Sequence, residues 1–511
     1  MGEMRTVRSV MAVVRRENKG PSKGTTTMTH LPTELWLRIA YFVPDVDLFR
    51  LASVNHLFHD LVTDRRYRQL VIDDDRPLHL IHKLTRIERD PSVAARVQSL
   101  TIHPKAVRSA CLRSSRNTWL IRPGKNVHWP DAFRLRTERF AIEEDIELAD
   151  RFLDAVAKLD RIEEYIIEWK QGVEAERTFC LPLLTAVWPL HSQNLRTIKL
   201  DMMLSHLCDM LSTVSGLDRL QDLSLRFTCN DSRFGPWGGP GYEAKYAFEQ
   251  LATFMNRLAL TLQSLAIYSI GHLNFSWLFA SLTLFPKMKS LSLQVPCDPR
   301  HVIDPTGLHH FLRAHHAVEH FNFAPQYCCH QSTQDPDPAI SHGCASTEDW
   351  LNRAFGGLSF EGLESLELGL NILGSGGKRV MPPVPRIGGA AKSVRSLGIV
   401  GCLISLQDLK AVLDPFKMAN PRTLVIEVHV LDLNLLDLLA SSLPDLERLD
   451  LTYRWVGSSG CTDEAALVKS LQGKQLSQWK LWQLVLRCSR QNDDARWPCQ
   501  QAISNCIPGL Q

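Results

Sequence analysis

Three clusters hold residue types able to do chemistry. Cys328, Cys329, His330, His342 and Cys344 could supply thiolate and imidazole ligands to zinc. Their order, Cys-Cys-His and then His-x-Cys, lacks the C-x-x-C spacing of a finger, and Pro336, Pro338 and Gly343 lie among them. A disordered insertion is the better reading, and no metal is expected. Gly374-Ser375-Gly376-Gly377-Lys378 suggests a loop that wraps phosphate. Such a loop needs glycine where the chain has Ile372, and Ser or Thr where it has Arg379. A third stretch, Pro104 to Glu144, is crowded with bases, Lys105, Arg108, Arg113, Arg116, Arg122 and Lys125 among them. Single-stranded nucleic acid would want stacking aromatics interleaved, for which Trp119 and Trp129 are the candidates, so a solvated loop is expected. With no H-E-x-x-H and no RING-type cysteine ladder, the chain is expected to be no enzyme and to need no cofactor.

The composition agrees with a binding role. Of 511 residues 44% are hydrophobic and 22% charged, which excludes wholesale disorder. Lys+Arg 58 against Asp+Glu 55 gives a net charge of +3, too balanced to expect a nucleic acid partner. Thirteen scattered cysteines fit free thiols in a reducing compartment, cytoplasm or nucleus. Residues 1–30 read as a disordered tail, since the apolar run Val10 to Val14 is too short for a secretory signal. Between Arg257 and Lys287 no Asp, Glu, Lys or Arg occurs, yet Gln263, Ser264, Ser269, His272 and Asn274 would be costly in hydrocarbon. A buried strand followed by a buried helix is expected there, and no membrane partner.

From Leu31 the text turns helical. Leu35, Ile39 and Phe42 recur at i, i+4 and i+7, which stacks them on one helix face. Pro32 suits the first turn and Pro44 should end the helix, because its ring disfavours helical geometry in the residue before it. Asp47 and Asn55 are the expected caps of a second and a third helix. So small a bundle cannot hide all of Leu31, Leu35, Ile39, Leu48, Leu51, Val54 and Phe58, so some either pack on the rest of the chain or form a docking surface.

The order Leu31-Pro32, Glu34-Leu35, Ile39, Pro44, Asp47-Leu48, Leu51, Val54, Phe58 and Leu61 resembles the F-box pattern. It departs at Asn55, where many members have Cys, and at Phe58, where many have Trp. The resemblance covers residues 31–75 at most, and the long insertions further on resemble those of divergent fungal F-box proteins. It implies binding to the Skp-type adaptor of a cullin-based (SCF) ubiquitin ligase, with adaptor contacts at Leu31, Pro32, Leu35, Ile39, Leu48, Leu51 and Val54.

Residues 76–511 carry a recurring phrase, L-x-x-L-x-L with aliphatic or aromatic substitutes. It starts at Val97, Ile162, Leu195, Leu220, Leu262, Met288, Val318, Leu363, Val394, Pro421, Leu446 and Leu481. The fourth and sixth places alternate as in a strand, and helix-like text such as Leu251 to Leu262 and Leu406 to Leu413 fills the gaps. Strand plus helix at this period is the leucine-rich-repeat signature, so the expected fold is an α/β solenoid with a parallel sheet. Insertions near 104–144 and 326–350 interrupt it. Asn371 and Cys402 complete the longer repeat pattern in two copies and should bond to backbone. Third, fifth and seventh residues should face away from the core and meet a protein target, in later copies through Glu367, Glu427, Arg448, Asp450 and Arg487, with Arg226 and Tyr268 earlier. The expected function is therefore recruitment of a protein target to an SCF-type ligase for proteasomal degradation. The alternative is a repeat scaffold that binds its partner without ligase assembly.

Overall fold

The computed structural model describes residues 32–54, 56–115, 143–169, 174–211, 216–227, 242–270, 273–295, 302, 304–324, 347–369, 393–417, 419–457, 464–472, 474, 476, 479–489, 497–507 and 510. Among the described residues three helices come first: α1 Thr33–Phe42, α2 Asp45–Leu51 and α3 His56–Tyr67. Pro32 is the N-cap of α1, and its carbonyl accepts the Leu35 N–H at 3.0 Å. Val43, held extended at φ −82 and ψ 125 before Pro44, ends the helix. The expected cap of α2 is corrected, because Pro44 rather than Asp47 occupies that place. Asp47 sits one residue pair inside the helix, 3.5 Å from Arg50 a turn later. Asn55 lies outside the described residues.

These helices share a small core of their own, Ala40, Leu48, Phe58 and Val62. Trp36 packs edge-on to Phe58 at 5.3 Å, a favoured aromatic geometry.

Among the described residues a 13-stranded, all-parallel sheet follows, with its strands side by side in chain order. They are β1 Gln69–Ile72, β2 Ser99–Ile102, β3 Glu164–Glu168, β4 Thr197–Asp201, β5 Asp222–Phe227, β6 Ser264–Ser269 and β7 Ser290–Gln294. Then come β8 His320–Phe323, β9 Ser365–Gly369, β10 Ser396–Ile404, β11 Thr423–Leu431, β12 Arg448–Val456 and β13 Gln483–Cys488. Every phrase read from the sequence is a strand, β2 to β13. The first strand was missed. Its text, YRQLVI from Tyr67, fits the phrase with an aromatic in first place, so the sheet begins inside the segment 31–75 that resembles an F-box.

Register explains why the phrase must repeat. Fourth residue pairs with fourth residue along the array: Leu70 with Leu100, Leu100 with Tyr165, and so on to Leu449 with Leu484. First, fourth and sixth residues therefore stack in one continuous core running from Ile72 to Ile507. The second residue serves the backbone. The Arg68 carbonyl accepts from Gln98 N–H at 2.8 Å and Ser99 N–H at 3.0 Å, and the same double bond recurs at each step to Glu447, which accepts from Trp482 and Gln483. Both lone pairs of each of these carbonyls are satisfied, so none of them is an orphaned acceptor at the entrance to a buried strand.

The described helices beyond α3 lie in the returns between strands or after the last strand. The one expected at Leu406 to Leu413 has those bounds and is capped by the Ser405 hydroxyl, which accepts the Asp408 N–H at 3.2 Å. The text read as helical from Leu251 is the second half of a longer helix, Tyr242–Arg257. The uncharged stretch after Arg257 is β6 followed by the helix Ser276–Ser281. Among the described residues no helix is long and apolar enough to cross a membrane.

Both expected insertions prove partly helical. Pro104–Ser115 is a helix with Ala106, Val107 and Ala110 buried, and Glu143–Ala157 is another. The basic stretch is thus not wholly a solvated loop, because its first turn is part of the repeat. The second insertion ends in the helix Thr347–Phe355, where the buried Trp350 donates its Nε1–H to the Val302 carbonyl at 2.6 Å. Cys328, Cys329, His330, His342, Cys344, Asn371 and the segment Gly374 to Lys378 lie outside the described residues. Cys402 lies in β10, its side chain outside the description.

Candidate functional site

Two surfaces remain once the cores are accounted for. The first belongs to the N-terminal helices. Four residues fill their core, and the rest of the apolar set turns outward. Leu35, Ile39 and Phe42 on α1, Val46 and Phe49 on α2, and Val54 after it are all exposed, Phe42 at 73% and Val54 at 60%. An apolar surface of this kind on so small a bundle is a candidate for covering by a partner. Pro32 is exposed at the head of α1, and Leu31 lies outside the described residues.

Two of the expected contact residues differ. Leu48 is 1% exposed and packs inside the bundle, and Leu51 is half-buried against the same core. Leu48 is accordingly a core residue of the unbound chain rather than a free contact. Phe42, Val46 and Phe49 were not chosen from the sequence, although Val46 and Phe49 at i and i+3 share a helix face.

Residues 28–70 match the family model described as the F-box domain. The N-terminal helices are an F-box. No curated protein matches the chain. A solved structure titled "Crystal structure of TLR13-ssRNA13 complex" is similar at 12% identity with a TM-score of 0.29, over 78% of this chain and 52% of that one. The chain thus spans about half the length of that structure. The repeat fold stands on the strand order and the register.

The F-box is fastened to the array. Arg68, the residue between α3 and β1, donates its N–H to the Asp64 carbonyl at 2.8 Å and begins the carbonyl ladder. Arg96, in the turn before β2, reaches back to α3, where it bonds the Asp60 carbonyl at 3.2 Å and the Asp64 carboxylate. The guanidinium of Arg86 lies 4.5 Å over the Tyr67 ring.

The second surface is the face of the sheet opposite the core, formed by third, fifth and seventh residues. Burial alternates along the strands, as in β3 and β7, with every second residue only half-buried on this open face. On β3 to β5 it carries Glu164, Glu168, Asp201 and Asp222 with Lys199 and Arg226. On β9 to β13 it carries Glu367, Glu427 and Asp450 with Arg448 and Arg487.

Cross-strand pairs organise much of it. Lys199 Nζ is 2.8 Å from Glu164, Arg226 is 3.9 Å from Asp201, and Arg487 is 2.9 Å from Asp450. The Arg226 guanidinium also lies 4.4 Å over the Tyr268 ring, so the two early candidates form one unit. Burial pushes the Glu164 carboxyl up, but the hydrogen bond from Lys199, the nearby Ser99 hydroxyl and the charges of Lys199 and Arg68 outweigh it, leaving it below its ordinary value. Asp222 goes the other way: burial and the Glu164 charge raise it, against a Thr197 hydroxyl bond at 3.2 Å and Lys199.

The five expected target residues do not form a single cluster. Arg448, Asp450 and Arg487 lie on neighbouring strands, with Glu427 one strand away and Glu367 two strands further. Asp450 is nearly covered, with 8% of its side chain exposed beneath Arg487. It presents little surface to a partner, a correction to the expectation from alternation alone. Glu367 accepts from Asn322 at 3.2 Å and lies over Gly398, whose missing side chain leaves room for it.

Proposed function

We propose that this chain is a substrate-recruiting subunit of an SCF-type ubiquitin ligase. The exposed apolar face of the F-box would bind a Skp-type adaptor and, through it, a cullin; the repeats would hold a protein target. The observation that carries this reading is the apolar face itself. Leu35, Ile39, Phe42, Val46, Phe49 and Val54 stay outside a four-residue core within a segment that matches the F-box domain. The role needs no chemistry of the chain's own. Holding a target beside a charged ubiquitin-conjugating enzyme makes transfer effectively intramolecular. The fastening of F-box to array supports this, because a fixed joint sets the distance between adaptor and target. Such a subunit would work in the cytoplasm or the nucleus and lead its target to proteasomal degradation.

The test is capture of a purified Skp-type adaptor by the full chain, followed by reconstitution with cullin. Stoichiometric capture is expected. A chain that captures no adaptor is instead a repeat scaffold acting without ligase assembly.

A further inference from the structure

The open face keeps a charge imbalance that its own pairs do not cancel. Its third, fifth and seventh positions from β2 to β13 carry the seven carboxylates named above against four Lys or Arg, in a chain whose net charge is +3. Three of those cations are already engaged: Lys199 by Glu164, Arg226 by Asp201 and Arg487 by Asp450. Asp222, Glu367 and Glu427 have no cation within 4.0 Å among the described residues. Arg448 stands at the start of β12, and Arg454 lies further along the same side of that strand, its guanidinium 5.7 Å from the Trp455 ring, so the face as a whole keeps more carboxylates than cations.

The strand-start edge of the same repeats behaves differently. There Glu364, Arg395, Arg422, Asp445, Glu447 and Lys480 border a groove in equal numbers of each sign. Arg422 pairs with Glu447 at 3.1 Å, and Lys480 pairs with Asp445. That edge favours neither sign of ligand.

The free carboxylates also have a spacing. They lie on β5, β9 and β11, and strands stand about 4.8 Å apart, so roughly 19 Å separates the first two and roughly 10 Å the last two. An extended chain advances about 3.3 Å per residue, so cations about six and then three residues apart would reach all of them. The floor between is low: Ser264, Ala266, Ser290 and Ser292 on β6 and β7 allow a backbone to lie close.

We propose that the open face takes its target by an extended lysine- and arginine-rich segment laid across the strands, with cations seated at Asp222, Glu367 and Glu427. The proposal rests on the reading of that face as the target surface. Glu164, Asp201 and Asp450 hold their partners in place and keep the rest of the face negative, so a basic chain is drawn in and an acidic one repelled.

The experiment uses the full chain with fluorescence anisotropy. The probes are a synthetic 16-residue peptide with Lys or Arg at every third position among Gly and Ser, its counterpart with Glu for each cation, and a single-stranded RNA of the same length. The basic peptide should bind, more weakly as salt rises, and the other two should not. The triple variant Asp222→Asn, Glu367→Gln, Glu427→Gln should weaken basic-peptide binding about tenfold or more, from roughly a few-fold per exposed charge pair. Glu364→Gln with Glu447→Gln on the edge should leave it unchanged. Equal binding of the acidic peptide or the RNA overturns the proposal, as does a triple variant with full affinity or an edge variant that loses as much. Circular dichroism and adaptor capture by the triple variant separate a folding defect, in which case single substitutions at Glu367 and Glu427 decide the matter. Failure of adaptor capture by the unaltered chain sinks the ligase reading and leaves a basic-peptide result standing.

Discussion

Arg487 on β13 lies 2.9 Å from Asp450 on β12 and covers a carboxylate whose side chain is 8% exposed. The second oxygen of that carboxylate, Oδ1, is buried without a hydrogen-bond partner. Arg487 is the charge that keeps Asp450 tolerable in the last turn of the array.

Removing Arg487 should therefore cost more than an ordinary surface change. Arg487→Ala would leave Asp450 with no cation and is expected to destabilise the chain by about 1–2 kcal/mol, below the cost of a fully buried pair because Arg487 is itself largely exposed. Arg487→Ala combined with Asp450→Asn should recover part of that loss. Urea unfolding of the single and double variants measures both, and additive losses would show that the pair is not coupled.

The F-box residues divide into two kinds that one binding assay and one melting curve can tell apart. Ile39→Asp with Val54→Asp changes only exposed positions, so adaptor capture should vanish while the melting temperature holds. Leu48→Ala opens the bundle core and should cost about 2–5 kcal/mol there, losing capture through unfolding. Leu31→Ala with Pro32→Ala should abolish capture while the array stays folded. Retained capture in the Ile39 and Val54 variant would move the adaptor site off this face.

Acid should loosen the middle of the array through His315. Its Nδ1–H donates to the Phe311 carbonyl at 2.6 Å, and its Nε2 accepts the Phe285 N–H at 2.9 Å, so the neutral ring satisfies both. Burial holds its pKa below the ordinary value, and nearby His316 adds to this, against the Phe311 bond that favours the charged form. His191, buried with a bond to the Val156 carbonyl at 3.1 Å, is depressed likewise, first by burial. A folded pKa below the unfolded one means that stability is full above about pH 6.5 and is lost as pH falls through the folded value. Melting temperatures from pH 7.5 to 5 should fall, and less steeply in His315→Gln. Identical slopes in the two proteins would remove His315 from this account.

Close packing of two return helices depends on Gly307. A Cβ there would stand 2.6 Å from the Ala280 nitrogen and 2.8 Å from its Cα, both backbone atoms that cannot swing aside. Gly307→Ala should force the helices Ser276–Ser281 and Thr306–Ala314 apart at a cost of about 1–3 kcal/mol. Gly398→Ala should cost less, since its closest neighbour is the Glu367 side chain at 3.0 Å, which can move. Thermal melting ranks the two, and a Gly398→Ala protein less stable than Gly307→Ala would contradict the packing.

Sequence alone settled what is periodic. The spacing of Leu35, Ile39 and Phe42 fixes one face of α1, and the phrase L-x-x-L-x-L fixes strand, core side and register for β2 to β13, because each copy must align its fourth residue with the next. Local chemistry also fixed some limits, such as Pro44 ending α1. The phrase at Tyr67 is hidden because it follows α3 directly, inside residues 31–75, where the surrounding text reads as helical. Tertiary structure decided the rest. Whether Leu48 faces a partner or Phe58 depends on which helices pack in three dimensions, since a helix face shows only that something covers it. The covering of Asp450 by Arg487 and the seat of Arg226 over Tyr268 arise from residues on neighbouring strands, tens of positions apart in the chain. Alternation places such side chains on a common face, but the distances between strands and the lengths of the side chains determine which charges meet and which are left for a partner.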